Sequence, residues 1–289
     1  MWPEFVAALT LRAGPNAALV ASGAAALGFA AGVIGTFLSL RKRALVSDAL
    51  AHATLPGVGL AFLAMLALGI GRNLPGLLIG AALSALAGLW VLQALTRHTR
   101  LSQDAAIGAV LSTFYGAGIV ILTLIQGLRT GQQAGLEGFL LGSTSGMLRA
   151  DVALILIGGA LALTLIFALR RPLTLIAFDE WAATVMGLRI AAYDMALMAL
   201  ALAVVLLGLR VVGLILIVAL LITPAAAARL WTHRVGVMAL LAGGIGAASG
   251  WIGAALSASL PDLPTGPAIV LLSFGVLIVS IPLTARRRR

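Results

Sequence analysis

Apolar runs close to the length of one bilayer crossing recur along the whole chain, at residues 17–40, 45–69, 74–95, 107–128, 152–169, 195–209, 211–228, 235–260 and 268–283. A helix needs about 20 apolar residues to cross the hydrocarbon core, where every backbone N–H and C=O must be satisfied within the segment. So many runs of that length exclude a water-soluble globule. Composition agrees: 62% of the residues are hydrophobic and 10% are charged, where a soluble domain carries about 25% charged residues. The expected fold is an all-α polytopic membrane protein, a single transmembrane domain over residues 1–289 with eight or nine helices in one bundle. The count turns on the two runs flanking Arg210, which have no long loop between them.

Nineteen Lys and Arg against nine Asp and Glu leave a net charge of +10. Nine crossings put Arg41, Lys42, Arg43, Arg97, Arg100, Arg170, Arg171, Arg189, Arg229, Arg234 and the Arg286–Arg289 tail on one side, 14 of the 19 cations. Only Arg12, Arg72, Arg129, Arg149 and Arg210 fall on the other. Cytoplasmic loops collect Lys and Arg, so the C-terminus is expected inside and the N-terminus outside. The charge thus reads as an orientation device, and no nucleic-acid partner is expected. No basic region precedes a short apolar core at the start, so no cleaved leader is expected. The absence of cysteine excludes disulfides, iron–sulfur clusters and thiolate metal sites. Glycine pairs four residues apart, Gly28/Gly32, Gly76/Gly80 and Gly246/Gly250, fit close backbone approach between helices, more simply inside the bundle than at a dimer seam.

One polar pair stands apart. Asp48 and His52, in Ser47-Asp48-Ala49-Leu50-Ala51-His52-Ala53-Thr54-Leu55-Pro56-Gly57, lie four apart at the start of the second run. That spacing puts both side chains on one helical face. Ionisable groups within a membrane usually face a bundle interior or a wet cavity. A carboxylate and an imidazole suit zinc, manganese or ferrous iron, and two copies of the chain would supply two of each. The competing reading makes Asp48 a helix cap and His52 a hydrogen-bond partner of nearby backbone. The Pro56-Gly57 step suggests a broken helix, which membranes tolerate where it lines a cavity or packs in protein.

Other segments carry less. Residues 129–149 are too polar and glycine-rich to span. Arg170-Arg171-Pro172 is expected to end the fifth span, and the polar interval 173–194 follows it. Within that interval, Asp179-Glu180-Trp181 ahead of Gly187 suggests a short amphipathic helix around residues 181–186 that stops at the glycine, or a loop lying at the lipid interface. Thr223-Pro224 implies a kink or a moving gate, and Asp262-Leu263-Pro264-Thr265-Gly266-Pro267 an outer turn. His98 and His233 sit among loop arginines. No phosphate-cradling Gly-x-x-x-x-Gly-Lys-Ser/Thr loop is present, and neither are HExxH or GxSxG.

Three ordered motifs resemble the permease subunit of bacterial zinc/manganese/iron ABC importers, over residues of about 17–282. The first is Gly35 to Gly57, where a glycine, an apolar run and basic residues lead into Asp-Ala-x-x-His and Leu-Pro-Gly. The second runs from Val212-Gly213-Leu214 to Thr223-Pro224-Ala225-Ala226, and the third is Asp262 to Ala268. The resemblance implies a type II, cobalamin-importer-like permease in the bacterial inner membrane. It implies a divalent metal ion as transported substrate and no cofactor in this chain. ATP would be hydrolysed on two copies of a P-loop subunit, an extracytoplasmic binding protein would deliver the ion, and a second permease copy or paralogue would complete the pathway. By position, Asp48 and His52 match the residues lining the family's translocation path. Residues 177–187 match the segment that couples to the ATPase, with Asp179, Glu180, Trp181, Ala183 and Gly187 as its candidate residues, the acidic and aromatic ones displaced by one place. The permease itself would not be an enzyme. Alternatives are a permease for a metal chelate such as a siderophore or cobalamin, a stand-alone proton-coupled transporter using Asp48 or His52, and an intramembrane enzyme.

Overall fold

The computed structural model describes residues 2–69, 71, 73–128, 147–260 and 263–287. The chain forms two compact units, one of Met1–Ala44 with Leu141–Arg289, the other of Leu45–Leu140. The readings placed on Arg72, residues 129–146, Asp262 and the last two arginines lie outside the described residues, as do the side chains of Arg210, Arg286 and Arg287.

All the regular elements among the described residues are helices: α1 Trp2–Leu9, α2 Pro15–Leu40, α3 Ala44–Ala67, α4 Leu74–His98, α5 Gln103–Gly127, α6 Arg149–Phe178, α7 Glu180–Val185, α8 Ile190–Val211, α9 Leu214–Trp231, α10 Val235–Ser259 and α11 Thr265–Arg287. Eight of them are long and apolar enough to cross a membrane; the apolar stretch of α9, Leu216–Trp231, is shorter. Starts are marked by local chemistry. Asn73 Oδ1 accepts from Gly76 N at 2.8 Å to open α4, and Ser102 Oγ from Ala105 N at 3.3 Å to open α5. Asp151 instead accepts from Leu148 N at 2.9 Å at the head of α6.

In the larger unit α2 is the central helix. Every residue from Ala30 to Leu38 is buried, the signature of a helix that is apolar on all faces. Its glycines admit neighbouring backbone: a methyl on Gly28 would collide with the Gly246 carbonyl, one on Gly32 with that of Ala242, and one on Gly35 with that of Leu221. The pairs Gly28/Gly32 and Gly246/Gly250 therefore serve packing inside one chain, α2 on α10. In the smaller unit α3 meets α4 where Gly57 and Gly80 face each other's carbonyls, and α5 packs Gly118 on Leu55.

Three boundaries differ from the sequence reading. α6 does not stop at Leu169; it continues through Arg170-Arg171-Pro172 to Phe178. Leu173 and Ile176, three apart on one face, are both fully buried, and that burial offsets the backbone hydrogen bond lost at Pro172. α8 starts at Ile190, so the non-spanning interval shrinks to the stretch around α7. The two runs flanking Arg210 are divided at Gly213, whose φ of 83° is a conformation that glycine adopts without steric cost. α3 runs unbroken through Pro56-Gly57: Gly57 provides close packing, and no helix break occurs there.

Candidate functional site

Asp48 is the fifth residue of α3, past its first turn, and that turn holds no acidic residue. A cap lies at the boundary, where its oxygen can reach the N–H groups of N2 or N3, so the capping role for Asp48 falls away. His52 follows one turn later, with Nε2 3.4 Å from Asp48 Oδ1. Both side chains are partly exposed, His52 by 21% and Asp48 by 34%, on a helix whose residues Ala49, Leu50, Ala51 and Ala53 are buried. The imidazole stands edge-on to Tyr115 of α5, ring centroids 5.0 Å apart. Gly118 seats α5 on Leu55, and three residues earlier on each helix come Tyr115 and His52. Nδ1 of His52 is buried without a hydrogen-bond partner among the described residues, so backbone hydrogen bonding does not explain the ring either.

A carboxylate oxygen and an imidazole nitrogen on one face form half of a coordination shell for a divalent first-row ion. Among the described residues no group of three His, Cys, Asp or Glu could hold a metal. His98 is exposed at the end of α4, and His233 is exposed in the turn between α9 and α10. Tyr115 was not among the sequence candidates. It is one of only two tyrosines in the chain and sits within the fourth apolar run, a signal that was legible but had no partner to point to.

The expected amphipathic segment is α7. Asp179 caps it, Oδ1 accepting from Ala182 N at 2.8 Å, and Gly187 ends it with φ 77°. Ala183 is fully buried, whereas Phe178, Trp181, Val185 and Met186 are each more than two-thirds exposed. Glu180 reaches Arg41, the residue closing α2. Arg41 Nη1 donates to Glu180 Oε1 at 2.6 Å and to Ile176 O at 3.0 Å, while Nε and Nη2 donate to the two oxygens of Asp194 at 2.9 and 2.8 Å. Arg43 Nη2 adds a third donor to Asp194 at 2.8 Å. Burial opposes the charge on Arg41, but the bonds to Asp194 and Glu180 outweigh it and hold its pKa above the ordinary value. The sequence offered these arginines as orientation signals and as the basic residues of the first motif, with no sign of their contacts to Asp194 and Glu180.

The model of the ABC 3 transport family matches residues 16–284. The chain belongs to that family. It is 42% identical over 257 residues to the manganese transport system membrane protein MntC of Bacillus subtilis, covering 89% of this chain and 58% of that relative's length. It is 40% identical to the zinc transport system membrane protein TroC of Treponema pallidum, over 90% of this chain and 86% of TroC. Among solved structures it superposes on PsaBC from Streptococcus pneumoniae in complex with Fab, with a TM-score of 0.80, 30% identity, and coverage of 97% and 95%. A metal-chelate type ABC transporter in an inward-facing conformation matches with a TM-score of 0.70 at 16% identity over 92% and 86%, a likeness of fold. The chain is thus a multi-pass, all-helical membrane component of this transport family.

Proposed function

We propose that this chain is the membrane permease of an ABC importer that passes a divalent metal ion, manganese or zinc, driven by ATP hydrolysed on a separate subunit. The observation that carries the reading is the Asp48–His52 pair: two hard-to-borderline ligands one turn apart on an apolar helix, in a chain of the ABC 3 family whose relatives are named for manganese and zinc transport. Two donors per chain hold an ion loosely enough to release it, and a second permease, a copy or a paralogue, would bring two more. An extracytoplasmic binding protein would deliver the ion. The loop cations favour an inner-membrane orientation with the C-terminus in the cytoplasm, which puts α7 on the ATPase side. The exposed apolar side chains Phe178, Trp181, Val185 and Met186 around α7 suit a docking patch for two copies of the ATPase subunit, because exposed apolar clusters of this kind mark protein interfaces. Asp179 and Gly187 define the ends of α7 and Ala183 anchors it.

Cysteines placed at Ala182 or Thr184, in a chain with none of its own, test this arrangement. Both should react with a membrane-impermeant maleimide only from the cytoplasmic face, and should crosslink to the ATPase when the two are co-expressed. Labelling from outside intact cells would reverse the orientation; inside labelling without a crosslink would remove the docking role. The purified permease by itself should bind no nucleotide, since it lacks a phosphate-cradling loop; saturable binding of a fluorescent ATP analogue would contradict this.

A further inference from the structure

We propose that Arg41 is a positioning residue for the transport cycle: through Glu180 it ties α7 to the turn between α2 and α3, so that a push on α7 is delivered to that turn. The inference rests on the reading of α7 as the ATPase-docking element and names the side chain that makes its docking productive.

The need for such a tie follows from size. α7 has six residues, too few for a helix to hold itself in place, because nucleation is costly and only tertiary contacts stabilise so short a segment. The one buried side chain of α7 is the methyl of Ala183, and it joins α6 through the single non-helical residue Asp179. Arg41 supplies the missing constraint. Its planar guanidinium places N–H groups on three acceptors at once: the Asp194 carboxylate of α8, the Glu180 carboxylate of α7 and the Ile176 carbonyl of α6. A lysine in its place has one ammonium and cannot reproduce that fork.

The two arms of the hub differ in exposure, and this separates scaffold from lever. Arg41 and Asp194 are 7% and 5% exposed, whereas Glu180 is 61% exposed. Desolvated and bidentate, the Asp194 arm fixes Arg41 to the bundle. The Glu180 arm is the part that moves or loads with α7. Lys42, with φ 54°, makes the turn tight, and Arg43 pins its far end to the same Asp194. The next residue, Ala44, opens α3, the helix that carries Asp48 and His52.

The test uses the permease–ATPase complex in proteoliposomes with its binding protein and radioactive manganese, measuring ATP hydrolysed and metal taken up in the same vesicles. In Glu180→Ala the metal moved per ATP should fall about fivefold, the upper end for a partly exposed ion pair, with the thermal unfolding midpoint of the permease unchanged. Glu180→Gln keeps an acceptor for Arg41 Nη1 and should recover most of the ratio. Asp194→Asn, which loosens the buried arm, should lower the unfolding midpoint as well. An unchanged ratio in Glu180→Ala would overturn the role of Arg41, as would a Gln variant no better than Ala. Loss of ATPase co-purification in Glu180→Ala would also overturn it, making Glu180 a docking contact. A wild-type complex that moves no metal on ATP would defeat the functional reading and this inference with it.

Discussion

Asp48→Ala and His52→Ala are each expected to cut uptake of radioactive manganese and zinc by about tenfold or more in cells lacking other importers, while the permease stays in the membrane in normal amount. Even residues that only orient a metal ligand cost about 10–100-fold in affinity or activity when changed, and these two side chains are the ligand candidates themselves. Both are partly exposed, so their loss leaves the α3 backbone in place, and His52→Ala gives up only the edge-on contact with Tyr115. Asp48→Asn should fall with the alanine variant, because an amide oxygen is a far weaker ligand for these ions than a carboxylate. Uptake within twofold of wild type in both alanine variants would remove the pair from the pathway.

Gly246→Ala is expected to be among the most damaging single-methyl changes in the chain. The new Cβ would collide with the Gly28 carbonyl, a backbone group, with no flexible side chain to give way. Forcing extra volume into a packed site costs about 1–3 kcal/mol, and the α2–α10 contact has no slack to absorb it. Gly244→Ala, two residues earlier on the same helix, meets nothing within 4 Å and should be neutral or gain up to about 1 kcal/mol in helix propensity. Thermal unfolding of the purified permease in detergent compares them directly; equal midpoints for the two variants would mean that α2 and α10 do not approach this closely.

The contrast between these two glycines also indicates what the sequence made legible. The pairs Gly28/Gly32 and Gly246/Gly250 stood out by spacing, and that spacing is a direct imprint of helix geometry; which helix each would meet was not, because small residues carry no mark of their partner. Asp48 and His52 were visible for the same geometric reason, being four apart in an apolar run, whereas Tyr115 was not, since its role depends on α5 lying against α3. The end of α6 was misplaced because Arg170-Arg171-Pro172 has the composition of a loop, and only the burial of Leu173 and Ile176 reveals why the helix persists. Arg41 and Asp194 are 153 residues apart. Charge counting saw one as a topological signal and the other as the end of a polar interval, and nothing local links them. The amphipathic α7 was readable from the Asp179-Glu180-Trp181 run and its terminal glycine, both properties of contiguous sequence, whereas the cap by Asp179 was not read.

The most direct measurement is metal accumulation by purified complex in sealed proteoliposomes. With permease, ATPase subunit and metal-loaded binding protein present, radioactive manganese or zinc should accumulate only when ATP is supplied on the ATPase side, should stop with a non-hydrolysable analogue, and should be lost with Asp48→Ala. Accumulation by the permease alone, driven by a proton gradient without any ATPase, would contradict an ATP-driven permease and identify the chain as a stand-alone transporter.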